Sequence, residues 1–566
     1  MKLRDGRHRD TTQVKGLNPE IYHRVGGRCC SLSSRQNSCN RYERDCEGPA
    51  GSEAVSRCQR ASMNSGEPMY SPRECSIKSI NGKIRQDIIH WQSDCSIVSK
   101  KSRNGDGEKG VAAMRREAGD TSARRRTGEQ MGTKLASLTL RARENPKSKF
   151  ISLAHLLTED FLKGCFWELK RDKASGIDGV SVKEYEVSLE ENIKDLVVRL
   201  KAKKYKPQPV RRAYIPKSDG SKRGLGIPTV EDKIVQMGIK KILEAIFEVD
   251  FIDVSYGFRP NRSCHDALEV LDKTIMTKPV NYVVDMDIKR FFDTIDHRWL
   301  MECLRQRIKD TSLLRLIVRF LKAGIMEEGK FIQTDKGTPQ GGVLSPLLAN
   351  IYLHYILDLW FEKVVKKQLK GFAQLIRYAD DFIVCFQSGS EAKTFGEKLE
   401  QRLGKFGLKI AEGKSRIIEF GRYVWGKAQR EGKKVATFDF LGFTHYCDKT
   451  RKGKFKLGRK TASKKFRQKI KAMNIWMKKV RNLVELKEWW QVLRLKLIGH
   501  YRYYGISGNY REIKKFYILT SKLAYKWINR RSQKKSYNYE RYCRFKKYNP
   551  LPEPRIYHRT YALSSY

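Results

Sequence analysis

The chain has 566 residues, and its 115 Lys plus Arg against 63 Asp plus Glu give a formal net charge of +52. This length is enough for several domains, and a charge of this size attracts polyanions, with nucleic acid as the expected partner and an anionic membrane surface as the alternative. No apolar run is long enough to span a bilayer and the first thirty residues carry no secretory signal, which argues against a membrane-spanning or exported protein.

Residues 1–130 are rich in Arg, Ser, Gly and Cys and lack apolar periodicity. Such a composition buries little core, so we expect a disordered or accessory extension, and Met131 is an alternative start of the protein. Seven of the 13 cysteines lie in the first hundred residues, without two matching C-x₂-C pairs. We therefore expect reduced thiols and give a zinc site little weight.

A globular pattern begins near residue 150, where "SLAHLLTEDFLKGCFWELKRDK" has helical apolar spacing. "RRAYIPKSDGSKRGLGIPTV" predicts a strand, a turn and a second strand. "EDKIVQMGIKKILEAIF" predicts an amphipathic helix, "VNYVVDMDI" a strand, and "LIRYADDFIVCF" two short strands around a turn. Helices and strands alternate without a regular βαβ repeat, so we predict an α+β fold.

Residues 451–550 carry 31 Lys plus Arg against 4 Asp plus Glu, a net +27, together with 18 aromatic residues. Two runs, "KKFRQKIKAMNIWMKKV" and "LKEWWQVLRLKLIGHYRYY", pair an apolar with a basic helical face. Basic groups neutralise phosphates, and Tyr and Trp rings stack on unpaired bases, so this region predicts RNA binding. The alternative is a basic helical bundle whose aromatic side chains all serve the core.

The tetrapeptide "YADD", Tyr378 to Asp381, sits between apolar runs. Two adjacent carboxylates at a tight turn repel each other and lose hydration, and a cation offsets both effects. An ordinary acidic hairpin turn explains this tetrapeptide equally well.

The strand "NYVVDMDIKRFFD" shifts that balance, because alternation places Val283, Asp285 and Asp287 on one face. Carboxylates converging from two strands form an oxygen-ligand site for Mg²⁺, and two such ions activate a hydroxyl and stabilise a leaving pyrophosphate. We assign Asp287, Asp380 and Asp381 to this catalytic metal site. Asp285 and Asp293 are left out, as a local hydrogen-bonding residue and a cap or turn residue.

Four motifs, "YIPKSDGSKRGLGIP", "DIKRFFD", "GTPQGGVLSPLLANIYL" and "YADD", follow one another in the order and spacing found in group II intron-encoded reverse transcriptases. "SYGFRPNRSCHDAL", "GLKIAEGKS" and "FLGF" extend the resemblance over roughly residues 150–550. The resemblance implies a right-hand polymerase, with fingers and palm over 131–445 and an α-helical thumb, the RNA-binding maturase domain X, over 446–550. It also implies RNA-directed DNA synthesis with two Mg²⁺ ions.

The resemblance also assigns nucleotide-binding residues. Lys217 and Arg223 match the basic residues that hold the nucleotide phosphates, and a fork-shaped guanidinium suits phosphate oxygens. Phe292 matches the ring that excludes a 2′-hydroxyl, and Gln340 lies in the loop that touches the incoming nucleotide. Lys414 matches a lysine near the palm whose role stays open. Taken singly, each of these side chains has an ordinary explanation as a solvated charge or a core residue.

The partners implied are the parent intron RNA, an RNA template, a DNA primer, dNTPs and target DNA, with no membrane. The location implied is the cytoplasm of a bacterium, at the nucleoid, with an organelle as an alternative. Residues 551–566 form a tail in which we expect no HNH endonuclease. Two other hypotheses remain: an RNA-binding splicing maturase whose polymerase site is not used, and another bacterial reverse transcriptase such as a retron enzyme.

Overall fold

A computed structural model describes residues 120–216, 222–411, 413, 415–531 and 537–560, with side chains from residue 132 onward. The predicted N-terminal extension therefore lies outside the described residues up to residue 119. The first helix begins at Asp120 and runs across the predicted boundary at residue 130. None of the described helices is both long and apolar enough to cross a membrane.

Helices and strands alternate along the chain, as predicted for an α+β fold. The α-helices are α1 Asp120–Glu144, α2 Glu159–Trp167, α3 Val182–Val187, α4 Leu189–Lys201, α5 Val230–Phe247, α6 Cys264–Thr277, α7 Phe291–Thr294, α8 His297–Arg305, α9 Thr311–Leu321, α10 Ser345–Leu353, α11 Lys366–Gln368, α12 Gly389–Lys405, α13 Arg422–Arg430, α14 Ser463–Val480, α15 Leu486–Tyr504, α16 Tyr510–Ile528 and α17 Tyr539–Tyr548. Two π-helical stretches, His354–Asp358 and Phe361–Val365, continue α10 towards α11.

The strands form three sheets. They are β1 Val210–Pro216, β2 Lys222–Ile227, β3 Tyr282–Asp287, β4 Ile325–Glu327, β5 Lys330–Ile332, β6 Ala373–Tyr378, β7 Asp381–Phe386, β8 Arg416–Glu419, β9 Phe438–Phe440, β10 Phe443–Lys449 and β11 Phe455–Thr461. The strand orders are β2-β1-β4-β5, β6-β7-β3-β8 and β11-β10-β9. We call them the first, central and third sheets.

The central sheet carries apolar side chains on both of its faces, so each face packs against a different core. Val284, Met286 and Phe382 belong to a core cluster with the helices that precede and follow the sheet in the chain. Val283 and Ile383, which point the other way, belong to a second cluster that reaches into the C-terminal helices. Alternation along a strand produces this division, because successive side chains leave opposite faces.

The C-terminal region is helical as predicted, and it contains an antiparallel sheet that the periodicity did not predict. Strands β10 and β11 pair from Phe443 opposite Thr461 to Lys449 opposite Phe455. Helices α14 to α17 follow. Trp489 is 1% exposed and Trp490 is 2% exposed, so these rings of "LKEWWQV" serve the core. Phe440 and Phe443, the two phenylalanines of the motif "FLGF", are buried in the same cluster.

Asp310 joins two segments that are far apart in sequence. One of its carboxylate oxygens accepts hydrogen bonds from the backbone N–H groups of Ser312 and Leu313, which caps α9. The other accepts from the N–H groups of Leu153 at 2.6 Å and Ala154 at 2.8 Å. Burial raises the pKa of this carboxyl, but the four backbone donors outweigh burial and the pKa is lowered from its ordinary value of 3.8.

We expect Asp310→Ala to lower the free energy of unfolding by roughly 2 kcal/mol, because it removes a helix cap and leaves further buried donors unsatisfied. Since the folded-state pKa is depressed, the contribution of Asp310 is complete above pH 3.8 and is lost as the pH falls through the lower folded value. Denaturant unfolding of both proteins across acidic pH measures this. The control is Asp296→Ala, since Asp296 caps only its own helix α8. Equal losses in the two variants would contradict the linking role.

Candidate active site

The three predicted catalytic carboxylates lie at one end of the central sheet. Asp287 is the last residue of β3 and faces Asp381, the first residue of β7. The hairpin between β6 and β7 closes with Tyr378 opposite Asp381, and Ala379 and Asp380 form the turn. Ala379 has a left-handed backbone with φ of 58°, which a tight two-residue turn requires. The predicted strand face and the predicted turn thus meet.

The carboxylates of this turn are close enough to disturb one another. Loss of hydration, followed by the charges of Asp380, Asp285 and Asp287, raises the pKa of Asp381 to about 7. The Asp381 side chain is nevertheless exposed, so water moderates the first cause, while all three neighbouring charges act in the same direction. Loss of hydration also raises the pKa of Asp380, with Arg223 opposing the shift and Asp287 adding to it.

Asp285 lies on the same strand face and has its own cationic partner. Its carboxylate is 3.4 Å from the guanidinium of Arg416 on the neighbouring strand β8. Burial raises the pKa of Asp285, and Arg416 opposes that shift. Asp293, also left out of the predicted site, is exposed on the short helix α7.

The donor set fits a hard cation, although the side chains do not close around one point. Within the ranges that the structure describes, no group of three or more His, Cys, Asp or Glu side chains converges closely enough to hold a metal ion. Like charges on neighbouring strands repel each other, and this repulsion opposes closer approach. Carboxylate oxygens are the ligands that Mg²⁺ prefers, and a cation between them would offset the repulsion.

A buried arginine that sequence reasoning missed anchors the turn. Arg377, on β6, and Asp358, at the end of the first π-helical stretch, are both fully buried. The guanidinium donates to the two Asp358 oxygens at 2.7 and 2.5 Å, and to the carbonyl oxygen of Ala379 at 2.9 Å. It also donates to the Asn350 side chain at 3.0 Å. One side chain therefore fixes the carbonyl at the centre of the turn.

A glycine lets the backbone pass close to the same turn. A Cβ atom added to Gly257 would lie 2.4 Å from the backbone nitrogen of Ala379, so only glycine fits. The Gly257 carbonyl accepts from the Asn350 side chain at 2.7 Å, and Tyr256 N–H donates to the Arg377 carbonyl at 2.9 Å. The motif "SYGFRP", which contains this glycine, and the arginine directly before "YADD" were the available sequence signals.

Phe292 lies beside the sheet end, at the start of α7, and is 7% exposed. Its ring packs edge-on against Phe291, with centroids 5.4 Å apart. Its carbonyl accepts from the N–H of Thr338 at 2.8 Å, which ties α7 to the loop "GTPQGG". Gly337, with φ of 86°, lies against the same carbonyl, where a Cβ would come within 2.8 Å.

Arg223 and Gln340 are bound to each other. The Arg223 Nε donates to the Gln340 Oε1 at 2.7 Å, and both residues belong to the predicted nucleotide-binding set. The Gln340 carbonyl also accepts from the N–H of Gly226 at 2.6 Å, so strand β2 rests on this loop. Gly341, with φ of 114°, allows that approach, because a Cβ there would lie 2.6 Å from the Gly226 carbonyl oxygen.

A buried glutamine, also missed from the sequence, supports the loop from beneath. Gln236, on α5, accepts from the N–H of Val343 at 3.0 Å. Ser345 donates to the Pro339 carbonyl at 2.8 Å, and α10 begins at Ser345, which Pro346 follows in the first turn. A single amide on an amphipathic helix gives little signal in the sequence.

Two predicted nucleotide-binding residues, Lys217 and Lys414, lie outside the described residues. Strands β1 and β2 precede and follow Lys217 in the chain, and they pair antiparallel from Arg211 opposite Ile227 to Pro216 opposite Lys222. Next to Lys414, the N–H of Ala411 donates to the Asp287 carbonyl at 2.8 Å. Ala411, three residues before Lys414 in the sequence, therefore lies beside the end of β3.

Comparison with known proteins gives a consistent family. A family model described as reverse transcriptase (RNA-dependent DNA polymerase) matches residues 215–445. Group II intron-encoded protein LtrA of Lactococcus lactis subsp. cremoris is 43% identical over 222 residues, which are 39% of this chain and 37% of that relative. Protein YkfC of Escherichia coli (strain K12) is 35% identical over 273 residues, 43% of this chain and 71% of the relative. Nuclear intron maturase 4, mitochondrial, of Arabidopsis thaliana is 30% identical over 137 residues, 24% of this chain and 17% of the relative.

We expect Asp358→Asn to lower the free energy of unfolding by about 3–5 kcal/mol, because it leaves the Arg377 charge buried without its counterion. The double variant Arg377→Met with Asp358→Leu should recover most of that loss, since neither charge is then buried. Chemical denaturation measures both. The matched control is Asp253→Ala, which removes an exposed partner of Arg262 and should cost less than about 1 kcal/mol. A loss in Asp358→Asn no larger than in the control would contradict the anchoring role.

Proposed function

The chain belongs to the reverse transcriptase family, and we propose that it is the RNA-directed DNA polymerase of a group II intron and also the maturase of that intron. The observation that carries the polymerase proposal is the register of the central sheet, which sets Asp287 directly opposite Asp381. The alignment covers only 37% of the length of LtrA, the intron-encoded relative. The geometry of the site therefore supports the proposed activity as much as the sequence similarity does.

We propose that Asp287, Asp380 and Asp381 hold two Mg²⁺ ions. Ions bound there would activate the primer 3′-hydroxyl and stabilise the leaving pyrophosphate. The chain contributes carboxylates on two hydrogen-bonded strands, which fixes the distance between the ligands. The Arg377 anchor fixes the turn that carries two of them. Loss of hydration, followed by repulsion among these groups, raises the pKa of Asp381 to about 7, and a cation as their partner would offset both effects.

The incoming nucleotide is proposed to lie between the carboxylates and the Arg223–Gln340 pair. Arg223 is close enough to Asp380 to oppose the rise of its pKa, so a triphosphate here would meet a cation beside the proposed metal site. The Phe292 ring would lie against the sugar and exclude a 2′-hydroxyl, which favours dNTPs over ribonucleotides. The hydrogen bond from the Thr338 N–H to the Phe292 carbonyl holds this residue in place. Lys217 would assist at the phosphates, and Lys414 belongs to the same proposed set.

The maturase role rests on the C-terminal region. Residues 451–550 carry a net charge of +27, which packing of an aromatic core does not explain. Trp489 and Trp490 are committed to that core, whereas Tyr510, Tyr539 and Tyr548 are 49%, 67% and 77% exposed. Exposed rings among lysines and arginines suit structured RNA with unpaired bases. The RNA would perform the splicing chemistry, and the protein would stabilise the active RNA fold.

The partners that follow from this proposal are the parent intron RNA, an RNA template, a DNA primer and target DNA. A location at bacterial DNA in the cytoplasm is part of the same proposal. A protein that binds the intron without synthesising DNA would need the basic surface but not the acidic end of the central sheet. Polymerase activity therefore separates the two roles.

We expect the full chain to extend a DNA primer on an RNA template with dNTPs and Mg²⁺, and Asp380→Asn to lose at least about 100-fold in rate. Removing one ligand charge weakens electrostatic stabilisation of the transition state, which accounts for losses of this size. Asp293→Asn is the matched control, because Asp293 is exposed nearby and lies outside the proposed metal site. Primer extension on gels measures all three proteins.

Two outcomes of this experiment would count against the polymerase proposal. If the unaltered chain shows no metal-dependent primer extension, the proposed polymerase activity is wrong. If Asp380→Asn and Asp293→Asn extend at the same rate as the unaltered chain, the assignment of Asp380 is wrong although the activity stands.

For the maturase role, we expect Arg541→Glu, Arg544→Glu and Lys547→Glu, combined in one variant, to abolish protein-dependent splicing of the parent intron at low Mg²⁺. These three exposed residues lie on α17, and reversing their charges replaces phosphate attraction by repulsion. Primer extension on a short RNA template should persist. Splicing of a co-expressed intron, with and without each protein, measures the effect.

The control for this variant reverses three exposed lysines elsewhere, Lys363, Lys367 and Lys370. The net charge changes by the same amount in both proteins, so general weakening of RNA binding is matched. Equal splicing with the two variants would show that α17 does not contact the intron.

A further inference from the structure

A second basic site lies away from the carboxylates. A cavity of about 230 Å³ opens between the C-terminal end of α4 and helix α9. Its apolar lining comes from Leu157, Leu200 and Leu316, with the ring of Tyr205. None of its lining residues belongs to the proposed catalytic or nucleotide-binding set. The cavity is therefore a separate feature of this part of the chain.

Five basic side chains line the cavity, and four of them are exposed. The exposed four are His155, Lys201, Lys203 and Arg315. No acidic residue lines the cavity, and in the described part of the chain none of these four forms an ion pair. Cations gathered around an apolar hollow repel each other, and a bound anion would offset that repulsion.

The wall of the cavity is fixed before any ligand arrives. Arg319, also in the lining, donates from Nη1 to the carbonyl oxygens of Lys203 and Tyr205 at 2.8 and 2.7 Å. The Tyr205 hydroxyl donates to buried Asp232 at 2.6 Å, so its ring is held from the other side. These bonds tie the segment after α4 to α9 and to α5.

Lys203 occupies a position that usually favours another residue. It follows the end of α4 with a left-handed backbone, φ of 57°, where helices commonly have glycine or asparagine. A lysine in this conformation is strained, and such strain concentrates at functional sites. Here it sets a lysine on the rim of the cavity.

The size and the lining of the cavity restrict its ligand. Sites for drug-sized ligands measure roughly 300–1,000 Å³, so this cavity suits a smaller unit. An unstacked nucleotide combines a flat base, which apolar and ring surfaces accept, with phosphates on either side for the basic rim. A glutamate or aspartate side chain of a peptide offers the charge but no group that fills an apolar hollow of this size.

We propose that this cavity binds one unstacked nucleotide of a single-stranded RNA segment, with its base against Leu157 and Leu316 and its flanking phosphates at Lys201, Lys203 and Arg315. The identification of the bound polymer as RNA rests on the proposed function. A free nucleotide shares the same chemistry, so the experiment includes both sources.

The test uses the full chain, a fluorescein-labelled single-stranded oligoadenylate RNA, and adenosine 5′-monophosphate as the free nucleotide. Lys201→Ala with Lys203→Ala removes two phosphate contacts, which should lower the slope of log affinity against log salt by about 1.4. Ser312→Phe fills the cavity from α9 without changing charge, and it should weaken RNA binding at least about threefold, because the base loses its place.

The control variant is Lys183→Ala with Lys194→Ala, two exposed lysines on α3 and α4 that do not line the cavity. We expect its salt slope to exceed that of the cavity variant and its affinity to match the unaltered chain within twofold. Primer extension by the same preparations reads the polymerase proposal separately. Absence of primer extension would contradict the polymerase proposal and would not affect the RNA-binding measurement.

Four outcomes would overturn the proposal. Unchanged affinity of Ser312→Phe would mean that no base enters the cavity. Equal salt slopes for the two lysine-pair variants would mean that Lys201 and Lys203 do not contact the phosphates. Saturable binding of the free nucleotide that is lost in both cavity variants, with RNA affinity unchanged, would assign the cavity to a free nucleotide instead. Binding of polyglutamate with the same sensitivity to both variants would assign it to an acidic peptide.

Discussion

A single buried guanidinium sets the geometry on which the acidic end of the central sheet depends. Arg377 donates to both Asp358 oxygens and to the Ala379 carbonyl, so one side chain connects a buried ion pair to the backbone of the turn. Burying two charges is favourable only when the geometry is good and the remaining donors are satisfied, and Asn350 supplies the further acceptor. The same side chain that makes the interior costly to assemble thereby makes the turn rigid.

The rest of the core is arranged around this constraint. The hairpin of β6 and β7 needs apolar neighbours on both faces, and the two core clusters provide them. Gly257 admits a backbone segment against the turn where any side chain would collide. Because the second cluster continues into the C-terminal helices, the face that carries Asp285 and Asp287 and the region proposed to bind RNA rest on shared packing. A change in how the C-terminal helices pack would therefore reach the acidic strand face without a separate connecting element.

Sequence patterns predicted what depends on local periodicity. Alternation in "VVDMD" put Asp287 on the strand face that meets the turn. The β9–β11 sheet was not predicted, since β9 has only three residues and basic residues interrupt the apolar alternation of β11. Arg377, Asp358 and Gln236 were missed for another reason. Their roles come from partners 19 to 107 residues away, and no window of sequence contains such a pair.

The bond between Arg223 and Gln340 has a consequence for selectivity. A ligand that reaches this pair exchanges one protein hydrogen bond for another, so its binding free energy reflects the difference between the two and not the full strength of either. A molecule with a strong acceptor such as a phosphate oxygen gains from the exchange, whereas a neutral molecule of similar shape loses a partner without replacing it. The pair would thus favour strongly charged ligands, and the backbone bond between Gly226 and Gln340 holds strand β2 beside the loop that carries Gln340.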